Sequence, residues 1–515
     1  MRFLRRLIFL AALLAALLPS AAFADEPGAQ GLCPGCNLVL IGMDDVRADR
    51  LAFTAESGAR TAKTPNLDRF AKEAQVFTQA ISAASWTLPS FMSVFTARHP
   101  SRHGLTNRYA DFAAEPLVLS RLQDRDPSAR TLAEVLRAKG YRTAAFTGGA
   151  GLTGASGFSR GFEVYSDSVS FGGFSTSVPQ ALGWLKDRAK GEPFFLFVHG
   201  YDAHGFHPEH WSSVKEAERF RGLRKQLLEN GVMDASAAER ENIVKTYERS
   251  LGSMDEALAP LLKALEARQD TVVVLFADHG EELFEHGGID HGRTLEEEVL
   301  RVPLLFRVPG AKPRRVLEQV RLLDIMPTLL DALAVGRDAR LDAQLEGLSL
   351  VPLLRGETLA LDAFSETDFL LQSSLRSLRD HEGWKLVRDM HAGISSLFDL
   401  NKDPQAKLDV SSEHPEKTRA LEKRLLDAFA PRPLNAKSRA SLDGRWKLSE
   451  KSGGFSLYDM ALDPLESLDL SSQEPRKAQE LAGRLLREAA SKRTEAQKHE
   501  PSPELIKRIQ KEGYW

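Results

Sequence analysis

The sequence predicts an α/β fold: a large, mostly parallel sheet sandwiched by helices, with a smaller C-terminal α+β region. Three observations predict it. Short apolar runs, NLVLIGM (37–43), FFLFVH (194–199) and TVVVLFA (271–277), fit strands buried on both faces. Helical patterns stand between such runs, the arrangement of βα units around a parallel sheet. After about residue 335 the alternation fades and an internal repeat begins.

From the start of the chain, Arg2, Arg5 and Arg6 precede an apolar run over 7–18, and Ala22-Phe23-Ala24 supplies a small-x-small cleavage site. Residues 1–24 therefore read as a secretory signal. The apolar run falls short of the roughly 20 residues a spanning helix needs. An exported, periplasmic or extracellular protein with no stable membrane span is expected. The formal charge of −3 becomes −6 once three arginines leave with the signal. That mild acidity, with no basic stripe, argues against nucleic acid as a partner.

The two cysteines, Cys33 and Cys36, lie in CPGC just before the first strand. No second pair exists to complete a zinc ribbon, and no thioredoxin-like pattern surrounds them. In an exported chain a small structural disulfide is the expected state.

The strand at 37–43 ends in Asp44-Asp45. TPNLDRFAKEA (64–74) has a Thr cap, Pro at the first position and apolar residues at helical spacing. Residues 131–139 read as a helix closed by Gly140, followed by a strand at 142–147. Ile243, Tyr247, Leu251, Met254, Leu258, Leu261 and Leu265 form one face of a long helix. The strand at 271–277 ends in Asp278-His279, and His204 lies just past the strand at 194–199. Ligands of open α/β sheets bind at the carboxyl ends of strands, so these groups can converge.

Asp44, Asp45, Asp278 and His279 form an oxygen-rich set with one imidazole. Such a set suits a divalent metal ion, calcium or magnesium if oxygen dominates, zinc or manganese if histidines join. In SWTLPSFMSVFTARHPSRHG (85–104), Pro89 suits the first turn of a helix, which places Thr87 and Leu88 at its entrance. A hydroxyl beside an anion-binding helix terminus can serve as a nucleophile toward phosphate or sulfate esters. An ordinary Thr N-cap would use the same residue.

In the tail, Trp384-Lys385-Leu386 recurs as Trp446-Lys447-Leu448, and residues 396–416 recur as 456–476. The offset changes from 62 to 60, a two-residue gap between copies. Each copy reads as strands, a turn at Asp-Pro, and a helix, near 418–428 and 477–489. The expected division is a signal at 1–24, a catalytic domain at 37–335, a first repeat at 336–440, and a second repeat with the tail at 441–515.

These motifs, with PFFLFVHGYDAH, FADHGEELFEHG, DHGRTLEEEVLRVPLLF, LLDIMPTLLDAL and LEGLSLVPLLRG, resemble the sulfatase family of the alkaline phosphatase superfamily from Asn37 to about Glu416. The resemblance implies a metal bound by Asp44, Asp45, Asp278 and His279, with Thr87 touching it as nucleophile. It implies that His204 is a leaving-group acid or substrate contact. His291 falls where the family places a substrate- or metal-contacting group, and Arg293 where sulfatases commonly have a substrate-binding lysine.

The chain departs from the family at the nucleophile. Sulfatases carry Cys or Ser in C/S-x-P-x-R, oxidised to formylglycine; here the stretch is Thr87-Leu88-Pro89-Ser90-Phe91. The family's GKWH-type segment is also missing, and TGGAG (147–151) stands nearby. The expected function is an exported metal-dependent hydrolase of sulfate or phosphate esters, acting through Thr87. Its substrate would be a small molecule, a glycan or a lipid. A head-group transferase and a non-catalytic relative binding anionic glycan are the alternatives.

Overall fold

The computed structural model describes residues 31–111, 118–187, 191–204, 211–369 and 373–429, then 440–443, 446–451, 454–459, 477 and 481. The expected signal at 1–24, and all but residues 477 and 481 of the second repeat's expected helix, lie outside the described residues.

Eight strands build the main sheet: β1 (Asn37–Met43), β2 (Gln75–Ile81), β3 (Arg142–Phe146), β4 (Val164–Ser166), β5 (Phe194–Gly200), β6 (Thr271–Ala277), β7 (Arg301–Arg307) and β8 (Arg314–Arg321). Their order is β8-β2-β7-β6-β1-β5-β3-β4. Every pairing is parallel except those of β7, which runs antiparallel to both neighbours. Every residue of β1, β5 and β6 is buried, as their unbroken apolar runs require. Full burial of each Val, Leu or Phe there contributes roughly 1.5–3 kcal/mol.

The helices that position the site are α1 (Pro65–Ala71), α2 (Thr87–Thr96), α3 (Leu132–Ala138), α4 (Phe174–Lys186), α5 (Val214–Asn230), α6 (Ala237–Glu266) and α7 (Ile325–Ala332). The apolar face of α6, from Ile243 to Leu265, is buried as its spacing predicts. A capping box of Ser236 and Glu239 starts this helix. A capping box of Thr131 and Glu134 likewise starts α3, and Gly140, at φ +87°, follows its end. The Thr cap expected for α1 is not made. The Thr64 side chain makes no cap bond, and the Asp255 carboxylate of α6 accepts from the backbone N–H of Asn66 (3.1 Å) and Leu67 (2.7 Å) instead. A carboxylate from another helix answers the same orphan donors and ties α1 to α6.

Beyond α7, a four-stranded antiparallel sheet runs β9 (Ala363–Thr367), β10 (Leu375–Arg379), β11 (Trp384–Asp389) and β12 (Ile394–Asp399). Helix α8 (Pro415–Phe429) covers it, packing Leu421 and Leu425 on Leu378, Leu386 and Leu397. A three-stranded sheet follows: β13 (Ala440–Asp443), β14 (Trp446–Lys451) and β15 (Gly454–Asp459). The repeat is visible in the ladders. Trp384 pairs with Asp399 and Leu386 with Leu397; Trp446 pairs with Asp459 and Leu448 with Leu457. The two-residue gap falls between the paired strands, which are four residues apart in the first copy (390–393) and two apart in the second, from Lys451 to Gly454.

The first C-terminal sheet is joined to the segment before α2. Ser365 Oγ donates to Ser82 O (2.6 Å), and Glu366 N donates to Ala83 O (3.0 Å). Cys33 and Cys36 stand with Cα atoms 5.5 Å apart, within disulfide range. No helix among the described residues is long and apolar enough to cross a membrane.

Candidate active site

Adjacent parallel strands bring the two acidic pairs together. Met43 of β1 lies beside Ala277 of β6, so Asp44 and Asp278 follow side by side. Strand β5 flanks β1 on its other side and leads to His204. Helix α2 is pressed onto β1 at Gly42, where an added Cβ would stand 2.6 Å from Phe91 Cε1. All ten residues of α2 are buried.

Thr87 is the first residue of α2 and Trp86 precedes it in extended conformation. The Thr87 hydroxyl donates to Asp44 Oδ1 (3.0 Å) and lies 3.3 Å from His279 Nε2. The helix therefore aims its first residue at the acidic pair. Its N-terminal N–H groups favour negative charge at the same spot. Ser90 is engaged elsewhere: its hydroxyl donates to Asp278 O (2.7 Å) and lies 2.9 Å from Ser82 Oγ.

His279 is oriented by its other nitrogen. Nδ1 lies 2.9 Å from Gly280 O, which fixes the proton there and turns the Nε2 lone pair toward Thr87, Asp44 and Asp278. Nε2 is 3.4 Å from Asp278 Oδ2 and 3.9 Å from Asp44 Oδ1. Asp45 stands apart from this group. Its Oδ1 is 3.7 Å from His279 Nδ1 and 3.7 Å from His291 Nδ1, on the other side of the His279 ring. The expected four-residue ligand set is thus divided, with Asp44, Asp278 and His279 together and Asp45 beside His279 and His291.

The donor chemistry fits a divalent ion. Asp44 Oδ2, Asp278 Oδ2 and both Asp45 oxygens are buried without a hydrogen-bond partner. Burial, reinforced by Asp278, pushes the Asp44 carboxyl well above its ordinary value. Burial, then Glu281, does the same to Asp45, and burial raises Asp278 to about 7. Burial and His291 hold His279 neutral, well below the ordinary imidazole range. Carboxylates crowded in this way, with a neutral imidazole, are what a bound cation stabilises.

His204 and His291 border the same pocket as Thr87, with their rings 5.2 Å apart. His204 stacks on Phe171 at 4.9 Å. Burial, His291 and Arg224 push its pKa down. For His291 burial lowers the pKa, but the bond to Glu281 and the charge of Asp290 outweigh it and the net shift is upward. Arg293 does not reach the pocket: its Nη1 donates to Leu227 O (3.2 Å). The guanidinium that lines the pocket is Arg224 of α5, and its Nε and Nη2 each stand 2.6 Å from Asp290 Oδ2. A single arginine on a polar helix rich in Arg, Lys and Glu gave no sequence signal. The TGGAG segment puts Gly151 against Thr87, where an added Cβ would meet Thr87 Cγ2 at 3.2 Å, and Gly151 N donates to Tyr201 OH (2.9 Å).

A mostly parallel sheet with acidic and imidazole groups at its carboxyl edge, facing a buried hydroxyl on a helix terminus, defines an α/β protein whose buried cluster could hold a divalent ion. The family model for sulfatases matches residues 36–335, and the chain belongs to the sulfatase family. It is similar to the ulvan-active sulfatase of Formosa agariphila, 26% identical over 57% of this chain and 61% of that protein. It is also similar to arylsulfatase K of Canis lupus familiaris, 24% identical over 77% of this chain and 83% of that one. Among solved structures, the phosphonate monoester hydrolase of Agrobacterium radiobacter shares the fold at TM-score 0.60, with 20% identity over 81% of this chain and 100% of its own. A structure in complex with its substrate D-glucosamine-2-N,6-O-disulfate does so at 0.62, with 19% identity over 76% and 97%.

Proposed function

We propose that this chain is an exported, metal-dependent hydrolase of singly charged esters (sulfate monoesters, phosphodiesters or phosphonate monoesters), with Thr87 as nucleophile. The observation that carries this reading is the Thr87 hydroxyl, at the entrance of α2 and 3.0 Å from Asp44 Oδ1. Asp44, Asp278 and His279 would hold the ion. With an imidazole in that set, zinc or manganese fits better than calcium or magnesium. A bound divalent ion supplies a lower hydroxyl pKa and charge stabilisation for the ester oxygens.

Thr87 Oγ1 attacks sulfur or phosphorus in line, and its proton passes to Asp44 Oδ1. The bond to the leaving oxygen breaks as the bond to Thr87 forms. The first N–H groups of α2 face the oxygens that gain charge. His204 gives the leaving oxygen its proton. Neutral in the free protein, its imidazole is drawn upward by an anionic ester bound beside it. Water then attacks the same sulfur or phosphorus, giving a proton to the now neutral His204, and the bond to Thr87 Oγ1 breaks as Asp44 returns the proton it holds to that oxygen. Threonine has no second hydroxyl through which to eliminate, so this hydrolytic step is required.

The charge of the pocket favours a singly charged ester. Among the described residues lining it the one guanidinium, Arg224, is shared with Asp290. Phe171, Tyr201, Phe369 and Trp86 make the remaining walls largely aromatic. Purified protein assayed on paired aryl sulfate, phosphate monoester, phosphodiester and phosphonate monoester substrates tests the reading. Turnover of a singly charged ester above the phosphate monoester is expected; a preference for the dianionic monoester contradicts it. Export and a Cys33–Cys36 disulfide belong to the same proposal. The mature chain starts at Asp25 and loses two thiols to oxidation, which intact mass before and after reduction reads directly.

A further inference from the structure

We propose that Phe171 is a positioning residue of the reaction: its ring holds the imidazole of His204 at the angle from which it protonates the leaving oxygen. This rests on the proposed role of His204 as leaving-group acid.

Phe171 lies in Ser170-Phe171-Gly172-Gly173-Phe174, between β4 and α4, and lines the same pocket as Thr87 and His204. Its backbone stands at φ +58°. A bulky side chain in that region is an outlier, and such strain persists only where the surroundings impose it. Glycine would sit there at ease, and Gly172 and Gly173 follow at once, yet the chain places an aromatic ring at the strained position. Main-chain contacts impose the conformation. Gly172 N donates to Gly148 O (3.1 Å), Tyr201 N donates to Gly172 O (3.1 Å), and Phe174 N donates to Asp202 Oδ2 (2.9 Å). An added Cβ on Gly148 would stand 2.2 Å from Gly172 O. The TGGAG segment is therefore a seat for the Phe171 loop, bare of side chain where the loop comes down on it.

The strained loop delivers the ring to His204. The two ring centroids are 4.9 Å apart with their planes at 31°, an offset stack. Tyr201 crosses both rings steeply, 5.4 Å from His204 and 5.2 Å from Phe171. The backbone of His204 is fixed by its N–H, which donates to Tyr201 O (3.1 Å). Among the described residues the imidazole itself is held by aromatic contacts and by no hydrogen bond, unlike that of His279, which Gly280 O orients. A general acid works only within hydrogen-bond reach of the atom it protonates, so an imidazole left to turn about its side-chain bonds loses much of its effect. The competing account makes Phe171 a plain apolar wall of the pocket.

Leaving-group dependence separates the two, because a better leaving group needs less help from an acid. Wild type, Phe171→Gly, Phe171→Tyr, His204→Ala and the Phe171→Gly, His204→Ala double variant are assayed on aryl sulfates and aryl phenylphosphonates running from 4-nitrophenyl to phenyl. Phe171→Gly removes the ring and suits the backbone, so the fold should hold, with Tm at or above wild type. It should lower kcat/KM by about 10- to 100-fold on the phenyl esters and by less than about threefold on the 4-nitrophenyl esters. Phe171→Tyr should keep the wild-type slope, and the double variant should be no steeper than His204→Ala. An equal loss across the series would make Phe171 a wall and overturn the proposal. An unchanged slope in His204→Ala would instead remove the acid role of His204, and this inference with it. Protein carrying histidine labelled with ¹³C at Cε1 gives a readout that needs no turnover. The His204 signal, identified by its loss in His204→Ala, should shift in Phe171→Gly as the ring current of the stacked phenyl disappears, and an unmoved signal would overturn the stack.

Discussion

Tyr247 holds Asp45 by its backbone. The phenol of Tyr247, in the middle of α6, donates to Asp45 O (2.9 Å) and accepts from Arg47 N (3.0 Å), and the ring is fully buried. The loop after β1 leaves the sheet with Asp45 at positive φ, and one side chain on a long helix answers its two adjacent polar groups. A residue on the apolar face of α6 is thus part of the support for the acidic site.

Tyr247→Phe keeps the ring and removes both bonds. Leaving a buried carbonyl and N–H without partners costs about 1–3 kcal/mol each at most. We expect a lower Tm and a loss of metal affinity of about tenfold, read by a fluorescent-chelator competition, with secondary structure unchanged. Wild-type metal affinity in Tyr247→Phe would show that the loop holds its shape without α6.

Arg224 and Arg293 should separate cleanly in kinetics. Arg224 lines the pocket, whereas Arg293 bonds Leu227 O. Arg224→Ala should reduce kcat/KM by roughly 10²-fold or more, the scale of a lost charged hydrogen bond of about 1.5–3 kcal/mol plus the stranded Asp290. Arg293→Ala should stay within about threefold of wild type. The reverse ranking would restore Arg293, two residues after His291, as the anion-binding position.

A pH prediction follows from Glu346, away from the metal site. Its Oε2 accepts from His99 N (2.9 Å) and lies 3.2 Å from His99 Nδ1, just beyond α2. Burial alone would raise this carboxyl, but the bonds to His99 and the charge of Arg102 outweigh it and hold its pKa at about 2, below the ordinary 4.5. A depressed carboxyl contributes stability above its unfolded pKa, and that stability is lost as pH falls through the folded one. Glu346→Gln should therefore cost on the order of 2 kcal/mol above about pH 5, and the gap to wild type should narrow between pH 4.5 and 2. Urea unfolding at stepped pH measures it, and a gap that stays constant down to pH 2 would place the stabilisation elsewhere.

The strands and the acidic pairs were legible because burial on both faces leaves a plain mark: NLVLIGM and TVVVLFA are apolar throughout, and polar residues follow at once. The helix face from Ile243 to Leu265 was legible for the same reason. Position in space was harder to read. Asp45 follows Asp44 directly, yet its left-handed backbone sends its carboxylate to the other side of His279. Glu281 and Asp290 lie inside motifs that the sequence displayed, but their convergence on His291 depends on a short hairpin between them. The cap of α1 was misread because Asp255, 189 residues from Asn66, outcompetes the adjacent Thr64. Arg224 comes from a helix whose composition marks only a solvated surface.

The most direct test of the account is kcat of Thr87→Ala beside wild type, on the substrate that the ester panel identifies, with metal content measured in both. Thr87 touches Asp44 and His279 through its hydroxyl, so removing that hydroxyl should abolish the covalent step. Losses of nucleophiles in comparable hydrolases reach about 10⁶-fold in kcat. We expect a fall of several orders of magnitude in Thr87→Ala, with metal content unchanged, and partial activity in Thr87→Ser. Near wild-type turnover in metal-loaded Thr87→Ala would contradict the account and assign the attack to a water.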